Sequence, residues 1–300
     1  MGAQLRAVRR RIATVKSTAK ITKAQELIAS SRIIKAQHQA RAAEPYAREI
    51  TAAVETVVSR SLSINHPLTT EPAHPVRAAV LMLTSDRGFC GGFNAQVLRE
   101  AQSVSAALAE RGVEAVPYVS GRKGINWHRF RDKAMAAEWF GFSDTPRHRH
   151  ATAITEVLLD AFTRPAAEGG VDELHIVYTE FVSMLTQRPT VHRLLPIQIV
   201  EAAERTPGPI PVYDFEPSPE SVLDTLLPWY VESRIYHALL ESAAAEIAAR
   251  RRAMKSATDN ANELLEKLTR DANKARQAEI TQEISEIVGG ANALADATRS

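Results

Sequence analysis

Cysteine is almost missing from these 300 residues: Cys90 stands alone, which excludes an intrachain disulfide and fits a reducing compartment. Wholly apolar runs are only a few residues long, far short of the ~20 needed for a membrane helix. No aromatic residue precedes Tyr46, so the start of the chain lacks the rings on which single-stranded nucleic acid stacks. Acid is scarce there too. Residues 1–41 hold Arg6, Arg9, Arg10, Arg11, Lys16, Lys20, Lys23, Arg32, Lys35 and Arg41 against the single Glu26, a net +9 in a chain whose total is only +2. The remainder is therefore net acidic, and the basic arm calls for an acidic protein surface, nucleic acid or a membrane. An Arg-rich, acid-poor start resembles an organelle transit peptide in composition, but its apolar rhythm continues past residue 30, so we read it as part of the mature fold.

Glycine and proline are absent from two long stretches, 3–44 and 229–288. Met254, Thr258, Ala261, Leu265, Leu268, Ala272 and Ala275 step by four and three, the spacing of coiled-coil packing. Ile280, Ile284, Ile287, Ala291 and Leu294 resume that rhythm one residue out of phase. As one helix, 229–288 would measure about 90 Å at ~1.5 Å per residue, longer than a compact domain needs for its own core. Near the start, Leu5, Val8, Ile12, Val15 and Ala19 step likewise, and Ile21, Ala24, Ile28 and Ser31 repeat the step with a shift. Pro45 is expected to kink this first helix, which carries on to about Leu62.

The middle alternates strand and helix patterns. Strands are predicted at 77–84, 113–119, 136–140, 173–181 and 190–197, and helices at 94–111 and 151–162. A proline-rich connection, 207–219, leads into the last helix. The predicted fold is α+α/β: a long antiparallel two-helix coiled coil from the terminal helices (1–62 and 215–296), with a Rossmann-like α/β domain (76–200) inserted between them. Pairing that starts with Glu44 beside Trp229 brings Ala3 opposite Arg270. Everything beyond would overhang, leaving Ile280, Ile284, Ile287, Val288 and Leu294 each to forgo about 1.5–3 kcal/mol of burial unless a partner sleeves them.

Few motifs suggest chemistry. Residues 84–94 form a glycine-rich strand-to-helix junction, yet they match neither G-x-G-x-x-G nor G-x-x-x-x-G-K-[ST]. A tight turn is the plainer reading of this junction, a nucleotide-binding enzyme domain the alternative. Cys90 has no local His or acid to make it a nucleophile. Arg147, His148, Arg149 and His150 read as a solvated helix start, since the arginines repel a metal ion. The basic first helix leaves a nucleic-acid scaffold as a further alternative, although its regular seam argues for a protein partner. No catalytic, cofactor or metal residue is assigned.

Three blocks carry a resemblance. They are Lys20-Ile21-Thr22-Lys23-Ala24-Gln25-Glu26-Leu27-Ile28-Ala29-Ser30-Ser31; Ser85-Asp86-Arg87-Gly88-Phe89-Cys90-Gly91-Gly92-Phe93-Asn94; and, near the end, Ala253-Met254-Lys255-Ser256-Ala257-Thr258-Asp259-Asn260 with Ala275-Arg276-Gln277 and Ile280-Thr281-Gln282-Glu283-Ile284-Ser285-Glu286-Ile287-Val288-Gly289-Gly290-Ala291. In this order, over nearly the whole chain, they resemble the gamma subunits of F-type ATP synthases, of the bacterial type.

The resemblance implies a central rotor shaft within an alpha3-beta3 hexamer, coupling proton-driven rotation of a c ring to conformational cycling of the beta sites. It implies that Arg276, Gln277, Thr281, Gln282 and Glu283 meet beta subunits, with Gln25 and Arg250 lower on the shaft. Ile280, Ile284, Ile287, Val288 and Leu294 would turn in an apolar collar. Arg32, Lys35 and Tyr213 would face the c ring and the epsilon subunit. ATP or ADP and Mg2+ would be held by beta, with no cofactor on this chain. The complex would sit peripherally on the cytoplasmic face of the cell membrane, this chain neither inserting in it nor binding nucleic acid.

Overall fold

The computed structural model describes residues 2–60, 71–165, 168–197, 216 and 218–297. In chain order the elements are α1 (Gly2–Arg60), β1 (Arg77–Leu83), α2 (Phe93–Glu110), β2 (Glu114–Ser120), α3 (Arg122–Arg129), β3 (Ala137–Trp139), α4 (His148–Thr163), β4 (Glu173–Phe181), β5 (Gln187–Leu195) and α5 (Pro219–Ala297). By contacts the chain forms two compact units, Met1–Ile28 with Arg251–Ser300, and Ala29–Arg250. Both terminal helices contribute to both units.

In the larger unit the strand order is β3-β2-β1-β4-β5. The first four strands are mutually parallel, and β5 returns antiparallel to β4. β1 is buried on both faces, which is why it reads as an unbroken apolar run rather than an alternation. Ala79, Leu81 and Leu83 share one core with α4 and with Leu223, Leu227, Val231 and Ile235 of α5. Ala78, Val80 and Met82 face the other way, against Val97, Leu98 and Ala101 of α2 and Ile125 of α3. The unit is thus a three-layer α/β/α sandwich, as its alternating pattern predicts.

Local chemistry sets the helix ends. Ser218 caps α5, its Oγ accepting from the Ser221 N–H at 3.3 Å, and Pro219 occupies the first helical position, where a missing N–H costs nothing. Pro45 does not end α1: the helix runs on to Arg60, with Ala47, Ile50, Val54 and Val57 buried beyond it. Packing outweighs the one hydrogen bond the proline removes. The short helix α3, absent from the sequence reading, follows Gly121 at φ 98°. A Cβ there would lie 2.0 Å from the Thr84 carbonyl oxygen, so only glycine lets β2 turn this close to the end of β1.

In the smaller unit the seam of α5 is as predicted. Met254, Thr258, Ala261 and Leu268 are buried, and Leu265, Ala272 and Ala275 are partly covered. Two expectations for the rest of the pair fail. On α1 the buried positions after Ala19 are Thr22 and Glu26, whereas Ile21 is 61% exposed and Ala24 and Ile28 also face outward. The shifted apolar stripe is the outer face, and the seam keeps its phase by using polar residues. The register also differs: Thr22 meets Thr258, one heptad beyond the Arg251 that pairing from Glu44 and Trp229 would give. Neither anchor is a helix end, because α1 continues to Arg60 and α5 begins at Pro219.

Candidate functional site

Among the described residues of its unit, the tip of α5 has no covering neighbour. Every described side chain from 280 to 291 is exposed, whereas Glu279 is still partly covered. The longer pairing therefore moves the start of the bare stretch from Arg270 to about Ile280. Ile280, Ile284 and Ile287 step by four and three, which sets them in one stripe; Ile284 is 56% and Ile287 72% exposed. Val288 is exposed beside them, and the side chain of Leu294 lies outside the described residues.

Arg276, Gln277, Thr281, Gln282 and Glu283 are all exposed on this same segment. Gln282 donates to Glu286 at 2.8 Å; the contacts are otherwise those of a solvated helix. Gln25 is exposed on α1 in the same unit. Lysines at 16, 20, 23 and 255 rim a groove between the two helices that is floored by Ala19, Ala24, Leu27 and Leu265.

Arg250, Arg32 and Lys35 belong to the larger unit. Lys35 is exposed, Arg32 pairs with Asp144 at 3.1 Å, and Tyr213 lies outside the described residues. Arg250 is turned inward. Its Nη2 lies 2.6 Å from Oε1 of Glu246, and its guanidinium donates to the carbonyls of Gly88 at 3.3 Å and Arg87 at 3.4 Å. The arginine singled out as a surface contact ties α5 to the glycine loop.

That loop lies at the carboxyl end of β1, between β2 and β4, where the strand order reverses. In open α/β sheets this is the usual place for a nucleotide. Here α5 fills it: Cys90 and Phe93 pack against Ala245 and Ala249, with Phe181 alongside. Amides around the loop are tied to Asp86 and Asn94. Oδ2 of Asp86 accepts from the N–H groups of Gly141 at 2.8 Å and Ser143 at 3.0 Å, and Oδ1 from Arg122 N–H at 3.1 Å. The Ser85 N–H donates to Asn94 at 2.8 Å. Burial pushes the Cys90 thiol up from its ordinary value, which keeps it protonated and a poor nucleophile. Among the described residues no group of three or more His, Cys, Asp or Glu could hold a metal ion. Nor is any described helix long and apolar enough to cross a membrane.

Sequence reasoning passed over Glu246. The signal was there: one acid in the run Ala243-Ala244-Ala245-Glu246-Ile247-Ala248-Ala249, four residues before Arg250, is an acid a helix can bury only if it is paired.

The ATP synthase family model matches residues 4–294. Among curated relatives, the ATP synthase gamma chain of Acidothermus cellulolyticus is 58% identical over 295 residues, covering 98% of both chains. That of Thermobifida fusca is 56% identical over 302 residues, covering 99% of both. Among solved structures, a chain of the Euglena gracilis mitochondrial ATP synthase (OSCP/F1/c-ring) aligns over 100% of this chain and 97% of its own, with a TM-score of 0.72 at 17% identity. A chain of the Tetrahymena thermophila mitochondrial ATP synthase (central stalk and c-ring) aligns over 79% of this chain and 99% of its own, with a TM-score of 0.59 at 21% identity. At those identities the likeness is one of fold; the curated relatives decide the family. Full-length identity above one half, on a chain whose nucleotide crevice is filled by its own helix, leaves one assignment: the chain belongs to the ATP synthase gamma-chain family.

Proposed function

We propose that this chain is the central rotor shaft of a proton-translocating ATP synthase. A c ring turned by proton flow would carry the larger unit with it, while the coiled coil turns inside a hexamer of alpha and beta subunits. Because the shaft is asymmetric, it contacts the beta sites unequally, and unequal contact is what shifts them among conformations. ATP or ADP and Mg2+ would be held by beta; this chain would bind none of them.

The observation that carries the reading is the bare tip of α5. A stripe of Ile280, Ile284 and Ile287 in water is costly unless something covers it, and an apolar collar at the hexamer's end is a socket of the right chemistry. Arg276, Gln277, Thr281, Gln282 and Glu283, exposed on the same segment, are the hydrogen-bonding contacts to beta. Gln25 and Arg250 would lie lower, Arg250 acting mainly through the loop it grips. Arg32, Lys35 and Tyr213 would face the c ring and the epsilon subunit, with the assembly on the cytoplasmic face of the membrane. The nucleotide-enzyme alternative loses its site to α5.

Affinity purification of the chain from native membranes tests this. It should bring down alpha and beta in fixed ratio; recovery of the chain alone would reject the proposal.

A further inference from the structure

Glu246 is 1% exposed, flanked by the buried Ala245 and Ile247, and belongs to none of the partner contacts proposed above. Its carboxylate accepts from the Arg250 guanidinium on its own helix at 2.6 Å, with Ser143 of the β3–α4 connection close by. Ser143 in turn accepts from the Asp86 N–H at 2.9 Å. Arg250 itself donates to the Arg87 and Gly88 carbonyls. The helix is thus bonded to the glycine loop through Arg250, which a single buried carboxylate holds in place. The other charges nearby are Asp144, itself approached by Arg32 at 3.1 Å and Arg87 at 3.8 Å, and the thiol of Cys90.

An ion pair this deep is a poor source of stability, since apolar side chains of the same size would do as well or better. It is a good source of register. The apolar contacts of α5 with the loop come from Ala245 and Ala249, whose small smooth side chains resist rotation of the helix about its axis only weakly. The directional bonds of the pair fix that angle. The larger unit extends along α5 to Arg250, so the pair lies at that end of the unit's share of the helix.

We propose that Glu246 is a positioning residue for torque transfer: by holding Arg250 on the Arg87 and Gly88 carbonyls it locks α5 against rotation in the larger unit, so that rotation of the unit passes into the shaft without slip. This rests on the rotor reading above.

Burial raises the Glu246 carboxyl to about 7, with Arg250 and Ser143 opposing and Asp144 assisting. The lock therefore carries a pH signature. Between about pH 6 and about pH 8 the ionised fraction rises from about one tenth to about nine tenths.

The test uses the assembled alpha-beta complex, immobilised through beta and stalled, with a bead on the α/β unit whose angular fluctuation reports torsional stiffness. The wild type should be stiffer at pH 8 than at pH 6, with the rise centred near pH 7 as the ionised fraction climbs. Glu246→Gln should show the low value at both, and so should Arg250→Lys, which keeps a charge but cannot bridge three acceptors. Should Glu246→Gln fail to assemble, Arg250→Lys carries the same expectation. Wild-type stiffness in these variants, or a pH step that survives Glu246→Gln, overturns the proposal. Failure of the rotor reading would look different: the wild-type bead would not rotate on ATP at all.

Discussion

The Thr22 and Thr258 hydroxyls lie 2.7 Å apart inside the seam of the two terminal helices. With one proton each, the two hydroxyls make two bonds at a time: one donates across the seam while the other donates to its own helix, Thr22 to the Ala19 carbonyl at 3.1 Å or Thr258 to that of Met254 at 2.8 Å. A hydroxyl pair of this kind names one register in a mainly apolar seam, much as a buried asparagine does in other coiled coils. Thr22→Val should cost about 1 kcal/mol in denaturant unfolding, because it leaves Thr258 short of a partner. The double change Thr22→Val with Thr258→Val should cost less than the two single changes together, a coupling that a double-mutant cycle reads directly.

Gly121 and Gly112 make a contrasting pair. Both have positive φ, but a Cβ at Gly121 would strike the Thr84 carbonyl at 2.0 Å, whereas Gly112 has nothing within 4 Å. Gly112→Ala should cost about 1–2 kcal/mol, the price of a left-handed residue alone. Gly121→Ala should cost at least ~3 kcal/mol and show as a much lower melting temperature, since backbone must move.

Much of this was open to the sequence. The strands, the two long helices and the seam of α5 follow from periodicity, because their burial is decided by local apolar spacing. What escaped has a common cause. The α1 seam passes through Thr22 and Glu26 while Ile21 and Ile28 face outward, so hydropathy pointed to the wrong face. The register was misplaced by a heptad because a repeating seam looks alike at each heptad and only the threonine pair tells them apart. The grip of Arg250 on Glu246 and two loop carbonyls escaped because the carbonyls lie 162 and 163 residues away in sequence. The exposure of the α5 tip was legible because, among the described residues, nothing covers 280 to 291.

Ile284→Asp and Ile287→Asp separate folding from assembly. Both positions are exposed, so neither change should shift the unfolding midpoint of the chain by more than about 0.5 kcal/mol. In the assembled complex either should promote dissociation of the hexamer from the shaft, measured by size-exclusion chromatography after dilution. A complex as durable as the wild type would show that the tip is not seated in an apolar socket.

Two carboxyls give stability opposite slopes with pH. Glu246 is raised by burial from 4.5 to about 7, so the native chain keeps a proton the unfolded chain releases; its contribution declines as pH rises from about 4.5 to about 7. For Glu173 burial pushes upward, but hydrogen bonds from Arg111 and His175 outweigh it and hold the carboxyl below its ordinary value. Its contribution is present above 4.5 and is lost as pH falls through the lowered value. Glu246→Gln should shallow the declining limb of a stability-versus-pH curve, to which the raised Glu241 also contributes, and leave the acid limb in place.

Rotation tests the central claim most directly. With the alpha-beta hexamer fixed to a surface and a bead on the larger unit of this chain, ATP should drive continuous turning in one direction. A bead that stays still while beta hydrolyses ATP would contradict the shaft account.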